Sequence, residues 1–199
     1  MGRPKALLPV RQTGECFLTH LAGTLRDAGL HEVVVVLGAD LARIQAVAEQ
    51  VQPPLRVVVN RDFARGQLSS LVAALDVVDR PGMEAVVVVP VDVPLVAPAT
   101  VRAILAAYAR SHAPVVRPTF GGRHGHPVLF DRLLFPELRR ADESQGARAV
   151  IRAHASAVLD VPVEDEGAFL DIDTPAEYER YVGVYPPPAW EDGTLLREP

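Results

Sequence analysis

Continuous apolar runs alternate with amphipathic stretches along most of the chain. Val33 to Leu37, Val57 to Val59 and Val86 to Val89 are unbroken runs rich in β-branched residues. Runs without polar alternation suit strands covered on both faces, as in a parallel sheet. Between them the spacing becomes helical. Phe17, Leu18, Leu21 and Leu25 fall on one helical face, and Gly29 follows as a stop. Leu68, Leu71, Val72, Leu75 and Val78 repeat the pattern, as do Val101, Ile104, Leu105 and Tyr108. Strand, helix, strand, helix in this order predicts βαβ units with right-handed crossovers, and so an α/β fold.

The second half is less regular. Ala113 to Pro118 and His126 to Phe130 read as short strands on either side of a Gly121-Gly122 turn. Arg148 to His154 reads as helix, and Val158 to Val161 and Phe169 to Ile172 as late strands. The last helix has a marked start: Thr174 at the N-cap, Pro175 at the first helical position and Glu177 three residues on form a capping box. After residue 184 the chain is Pro-rich, and residues 185–199 are expected to be an extended tail beyond a single domain at 1–184.

Composition narrows the function classes. Hydrophobic residues make up 49% and charged residues 23%, an ordinary globular balance. The net charge is -5, which argues against a nucleic-acid partner, since that needs a basic face. It also means that polyphosphate chemistry here would need a divalent cation. Cys16 is the single cysteine, so a disulfide framework or thiolate metal cluster is excluded and a cytoplasmic setting is expected. No apolar run approaches the roughly 20 residues of a membrane span.

Six segments carry candidate chemistry. Arg3 and Lys5 in Met1 to Pro9 form a basic pair beside glycine and proline, suited to phosphate or simply solvated. Asp92 stands alone where an apolar strand ends between Pro90 and Pro94. Ligands in open α/β sheets sit beyond the carboxyl ends of strands, so Asp92 reads as a magnesium ligand or as a cap for the next helix. Asp171 and Asp173 lie two apart on an expected strand and so share a face, where like charges invite a cation. One of the two would instead favour the following helix dipole. The loop from Asn60 to Ser70 enters a helix through Gly66 and Gln67, as an anion site or a plain connection. Gly121 to Phe130 carries His124 and His126, for ligand contact or a turn. Asp142 to Arg148 reads as a helix start capped by Asp142 or Ser144, with a second anion site as the other reading.

Together these segments resemble the MobA-like NTP transferase family, especially its molybdenum cofactor cytidylyltransferase branch. The resemblance rests on Met1 to Pro9, on Gly66-Gln67-Leu68-Ser69-Ser70, and on Asp92 with Pro94. It continues in Gly125 to Phe130, Gly146-Ala147-Arg148 and Asp171 to Pro175, in family order. It implies a three-layer α/β sandwich with a mostly parallel, mixed sheet of the nucleotide-diphospho-sugar-transferase type. It implies transfer of a nucleoside monophosphate from CTP or GTP to a phosphorylated acceptor, with molybdopterin the expected one and a sugar phosphate or phospholactate the alternatives. Catalytically inactive binding of a nucleotide or cofactor is a further alternative. By resemblance, Lys5 and Asp92 are catalytic, and Arg3, Lys5, Gly66, Gln67, Ser69 and Ser70 hold the nucleotide. His126, Gly146 and Arg148 face the acceptor, and Asp92, Asp171 and Asp173 hold Mg2+. The family opens with a strand and a Leu-Ala-Ala-Gly-x-Ser-x-Arg loop before its Met-Gly. That strand and loop are expected to be missing from residues 1–199, leaving the chain weaker in stability and activity than an extended form.

Overall fold

The computed structural model describes residues 4–10, 14–38 and 41–184. Arg3 and the 185–199 tail lie outside the described residues. The first helix is α1, Phe17–Asp27, and it is followed by β1, Val34–Leu37. Then come α2, Leu41–Gln50, β2, Arg56–Val59, α3, Gln67–Val78, and β3, Ala85–Val88. The remainder is α4, Pro98–Ser111, β4, Val115–Phe120, β5, Arg123–His124, β6, Val128–Asp131, α5, Phe135–Arg140, α6, Ala147–Ala153, β7, Val158–Pro162, and α7, Pro175–Tyr181.

The fold is α/β with mixed pairing. β1 and β2 pair in parallel, and β4 and β7 do the same. β6 lies between β3 and β4 and is antiparallel to both, while β5 forms a hairpin with β4 through the Gly121-Gly122 turn. Helices cover both faces. Leu68, Leu75 and Val78 of α3, with Phe135, Leu138 and Val150, pack on Val115, Val128 and Phe130 from one side. On the other side Ile104, Ala107 and Tyr108 of α4 pack on Val116 and Leu129, and Leu18 and Ala22 of α1 pack on Leu37, Ile44 and Ala48. That is three layers, each element burying its apolar face against the next.

Among the described residues, the β1–β2 pair and the five strands built on β3 form two separate sheets. A groove of about 1430 Å³ runs between them. Its flanks are Val33 to Leu37 and Ala85 to Val89, and its walls are Leu18, Leu21, Ala22 and Leu25 of α1 and Leu68, Leu71, Ala74, Leu75 and Val78 of α3.

Two expectations need correcting. Phe169 to Ile172 is not a strand. Residues 166–169 form a 3-10 turn, and 170–173 belong to neither helix nor strand. The reason is Asp165. Its carboxylate accepts from the Gly167 amide inside the turn, and also from the Ala97 amide and the Thr100 hydroxyl at the start of α4. The turn is thereby bent onto that helix. The N-cap of α6 is Gly146, at φ 62°, where a side chain would be strained. It is neither Asp142 nor Ser144: Asp142 instead accepts from the Ser144 amide and hydroxyl to close a separate turn. The Leu41–Gln50 and Phe135–Arg140 helices had no counterpart in the sequence reading.

Candidate active site

Three distant segments meet at one point. Lys5 opens a short 3-10 turn, Lys5–Leu7, anchored by the buried Ala6 and Leu8. Asp92 follows the end of β3, in a turn closed by the Val93 amide on the Pro90 carbonyl at 3.2 Å. The fully buried Val93 holds that turn against the core. Asp173 follows Ile172, whose side chain is 0% exposed and whose amide donates to the Asp92 carbonyl at 2.7 Å. The Lys5 ammonium donates to Asp92 Oδ2 at 3.1 Å and to Asp173 Oδ1. Partial burial pulls the Lys5 pKa down. Hydrogen bonds and charge from Asp173 and Asp92 outweigh this and hold it above its ordinary value.

The α4 start is bonded by Asp165, so Asp92 is not its cap. Thr174 and Glu177 form the expected reciprocal box at α7, so Asp173 leaves its carboxylate for Lys5. Asp171 shares the exposed side opposite Ile172 but makes no contact with Lys5. With Asp173 it lines an adjoining cavity of about 440 Å³, together with Glu177, Arg180 and Tyr181.

The two oxygens that converge on the ammonium are hard donors, and the ammonium stands in for a cation. That donor set suits magnesium or manganese, which take one or two carboxylates and complete their shell with water and phosphate oxygens. Among the described residues no group of three or more His, Cys, Asp or Glu side chains forms a self-sufficient metal cage.

The loop entering α3 is organised by a residue that sequence reasoning passed over. Asn60, 5% exposed, donates to Ser69 Oγ at 2.8 Å and Ser70 Oγ at 3.1 Å and accepts from the Asp62 amide. Ser69 also donates to the Gly66 and Asp62 carbonyls, so its hydroxyl is tied into the loop. Gly66 sits at φ 102°, and α3 starts with no side-chain cap, so its first amides are not claimed by one. An asparagine directly after a strand was the one available signal for Asn60.

Gln67 and Ser70 line the large groove, and so do His126, Gly146 and Arg148. Lys5, Asp92 and Asp173 do not line it, but their neighbours Ala6 and Val91 do, which sets the cation point at its rim. Arg65 bonds Glu143 at 3.0 Å, tying the α3 loop to the loop before α6. Gly125 lies so close to Ala168 that a Cβ would stand 2.3 Å from its carbonyl oxygen. The next amide, of His126, donates to that carbonyl at 2.8 Å. The imidazole Nδ1 of His126 is buried with no hydrogen-bond partner. Burial pulls its pKa below 6.5, and nearby Arg148 adds to this. Asp171, Asp92 and a hydrogen bond to the Val88 backbone oppose it. Arg148 is exposed and has no ion-pair partner among the described residues.

The three-layer α/β fold is of the nucleotidyltransferase-like class, as its likeness to solved structures shows. Residues 1–158 match the MobA-like NTP transferase domain, and the chain belongs to that family. It is 34% identical over 187 residues to nicotine blue oxidoreductase of Paenarthrobacter nicotinovorans, covering 87% of this chain and 86% of that one. It is 27% identical to the purine catabolism protein PucB of Bacillus subtilis, covering 90% and 88%. Among solved structures it is similar to Rv0371c of Mycobacterium tuberculosis, with TM-score 0.73, 30% identity and coverage of 90% and 89%. A manganese complex of Rv0371c matches with TM-score 0.69. No helix among the described residues is long and apolar enough to cross a membrane.

Proposed function

We propose that the chain is a cytoplasmic nucleotidyltransferase that moves a nucleoside monophosphate from CTP or GTP to a phosphorylated acceptor of the molybdopterin kind, releasing pyrophosphate. The observation that carries this is the convergence of Asp92 and Asp173 on the Lys5 ammonium, beyond the end of the apolar strand β3. An oxygen of the acceptor phosphate attacks the α-phosphorus of the NTP. The bond from that phosphorus to the bridging oxygen breaks, and pyrophosphate leaves with the electron pair. The acceptor is itself the nucleophile, so the protein's part is positioning and charge neutralisation. Asp92 and Asp173 would hold Mg2+, with Asp171 beside them, and a bound Mg2+ would supply charge neutralisation at the phosphates. Lys5 and Arg3 support the triphosphate. Gly66, Gln67, Ser69 and Ser70 hold the nucleotide, and His126, Gly146 and Arg148 face the acceptor.

The test is pyrophosphate release from CTP and GTP with a panel of phosphorylated acceptors and Mg2+. Release with a pterin acceptor supports the reading, whereas release with a sugar phosphate or phospholactate moves the acceptor assignment. A second reading is favoured by the 34% identical relative, whose name is that of an oxidoreductase. On that reading the groove holds a redox substrate, and no acceptor releases pyrophosphate.

A further inference from the structure

We propose that Lys5 is the resident counter-ion of the cation point: its ammonium sits between Asp92 and Asp173 until a divalent cation arrives with a polyphosphate, and then it moves to the polyphosphate. This rests on the metal assignment above. Two carboxylates aimed at one spot repel each other unless a positive charge lies between them. Here the charge is Lys5, within 3.1 Å of Asp92 and bonded to Asp173. A metal ion alone must displace that ammonium from both carboxylates and offers it no anion in exchange. A metal ion carrying a polyphosphate brings the ammonium a new anion.

The local structure permits this exchange. Ala6 and Leu8 are buried and fix the Lys5 backbone, while the side chain is 26% exposed on a stem of four carbons. A lysine head is a compact point charge with rotatable donors, so it exchanges one anion for another without backbone movement. Asp173 is the more exposed partner at 59%, against 30% for Asp92, so exchange begins on its side. The consequence is positive coupling: polyphosphate raises metal affinity, and metal raises polyphosphate affinity by the same factor.

The test uses residues 1–199 with Mn2+, followed by the electron paramagnetic resonance signal of the free ion, with and without tripolyphosphate. Lys5→Gln should bind Mn2+ alone more tightly than the wild type, on the order of tenfold. Tripolyphosphate should raise Mn2+ affinity more in the wild type than in Lys5→Gln. Lys5→Arg keeps the charge and should bind Mn2+ alone as weakly as the wild type. Equal or weaker Mn2+ binding by Lys5→Gln, with binding still lost in Asp92→Asn, overturns the counter-ion role and leaves the metal site standing. Mn2+ binding unchanged in Asp92→Asn overturns the metal site and the inference together.

Discussion

The amide of Ile172 donates to the carbonyl of Asp92 at 2.7 Å, and this one bond fixes the separation of the two carboxylate-bearing segments. Asp92 ends its side of the pair, and Asp173 is the next residue on the other. Because Ile172 is buried at 0% exposure, the link is shielded from water and the two carboxylates meet without a shared ladder.

Asp92→Asn should leave the fold intact, because the side chain is partly exposed and the linking bond uses the backbone. Its kcat for Mg2+-dependent nucleotidyl transfer should fall by about two orders of magnitude or more, as loss of a metal ligand does. Paired melting curves and Mg2+ titrations of kcat check this. Near-normal turnover at ordinary Mg2+ would remove Asp92 from the metal site.

Asp171 and Asp173 should separate. Asp173 contacts Lys5 and Asp171 does not, so Asp173→Ala should raise the Mg2+ concentration needed for half-maximal turnover several-fold. Asp171→Ala should leave that concentration nearly unchanged. The α7 cap belongs to Thr174, and Thr174→Ala should cost about 1 kcal/mol of stability with Mg2+ dependence intact. Identical Mg2+ curves for the two aspartate variants would contradict the assignment.

His126 makes stability depend on pH. Its folded pKa lies below the ordinary 6.5 because burial disfavours the charged ring. The folded state therefore takes up this proton later than the unfolded chain does. The stabilisation is full above about 6.5 and is lost as pH falls from there through the lower folded value. Melting temperatures between pH 7.5 and 5 should drop more steeply for the wild type than for His126→Gln. Parallel curves would refute the claim.

Asn60→Ala removes a buried donor and acceptor that bind Ser69, Ser70 and Asp62. Stability should fall by about 1–3 kcal/mol, the cost of leaving buried polar groups unmatched. The KM for nucleotide should rise as the loop loosens. Denaturant unfolding and nucleotide kinetics on the same sample measure both effects, and a variant as stable as the wild type would show the network to be incidental.

Where structure follows from local pattern, the sequence made it readable. The valine runs became β1, β2 and β3, and the Leu68 to Val78 spacing became α3. The Thr174-Pro175-Glu177 signature became the α7 cap. The carboxylates stood out because an aspartate at the end of an apolar run has no packing role. Contacts between distant positions were not readable. Lys5 and Asp173 are 168 residues apart, and nothing near either one indicates the other. Asp165 bends its own segment out of strand geometry by bonding residues 65 and 68 positions away, so the apolar Phe169 to Ile172 stretch reads as a strand. The insertion of β6 between β3 and β4 likewise depends on pairing across the sheet.

The division of the strands into two sheets bears on stiffness. The Gly66 loop follows β2 in one sheet, and Asp92 follows β3 in the other. Among the described residues no hydrogen-bonded ladder joins them. Val33 to Leu37 and Ala85 to Val89 instead flank the groove from its two sides, with Leu21 and Leu25 of α1 and Leu71 and Leu75 of α3 along its walls. A strand laid between β1 and β3 would join the two sheets into one and lock the Gly66 loop and Asp92 at a single spacing.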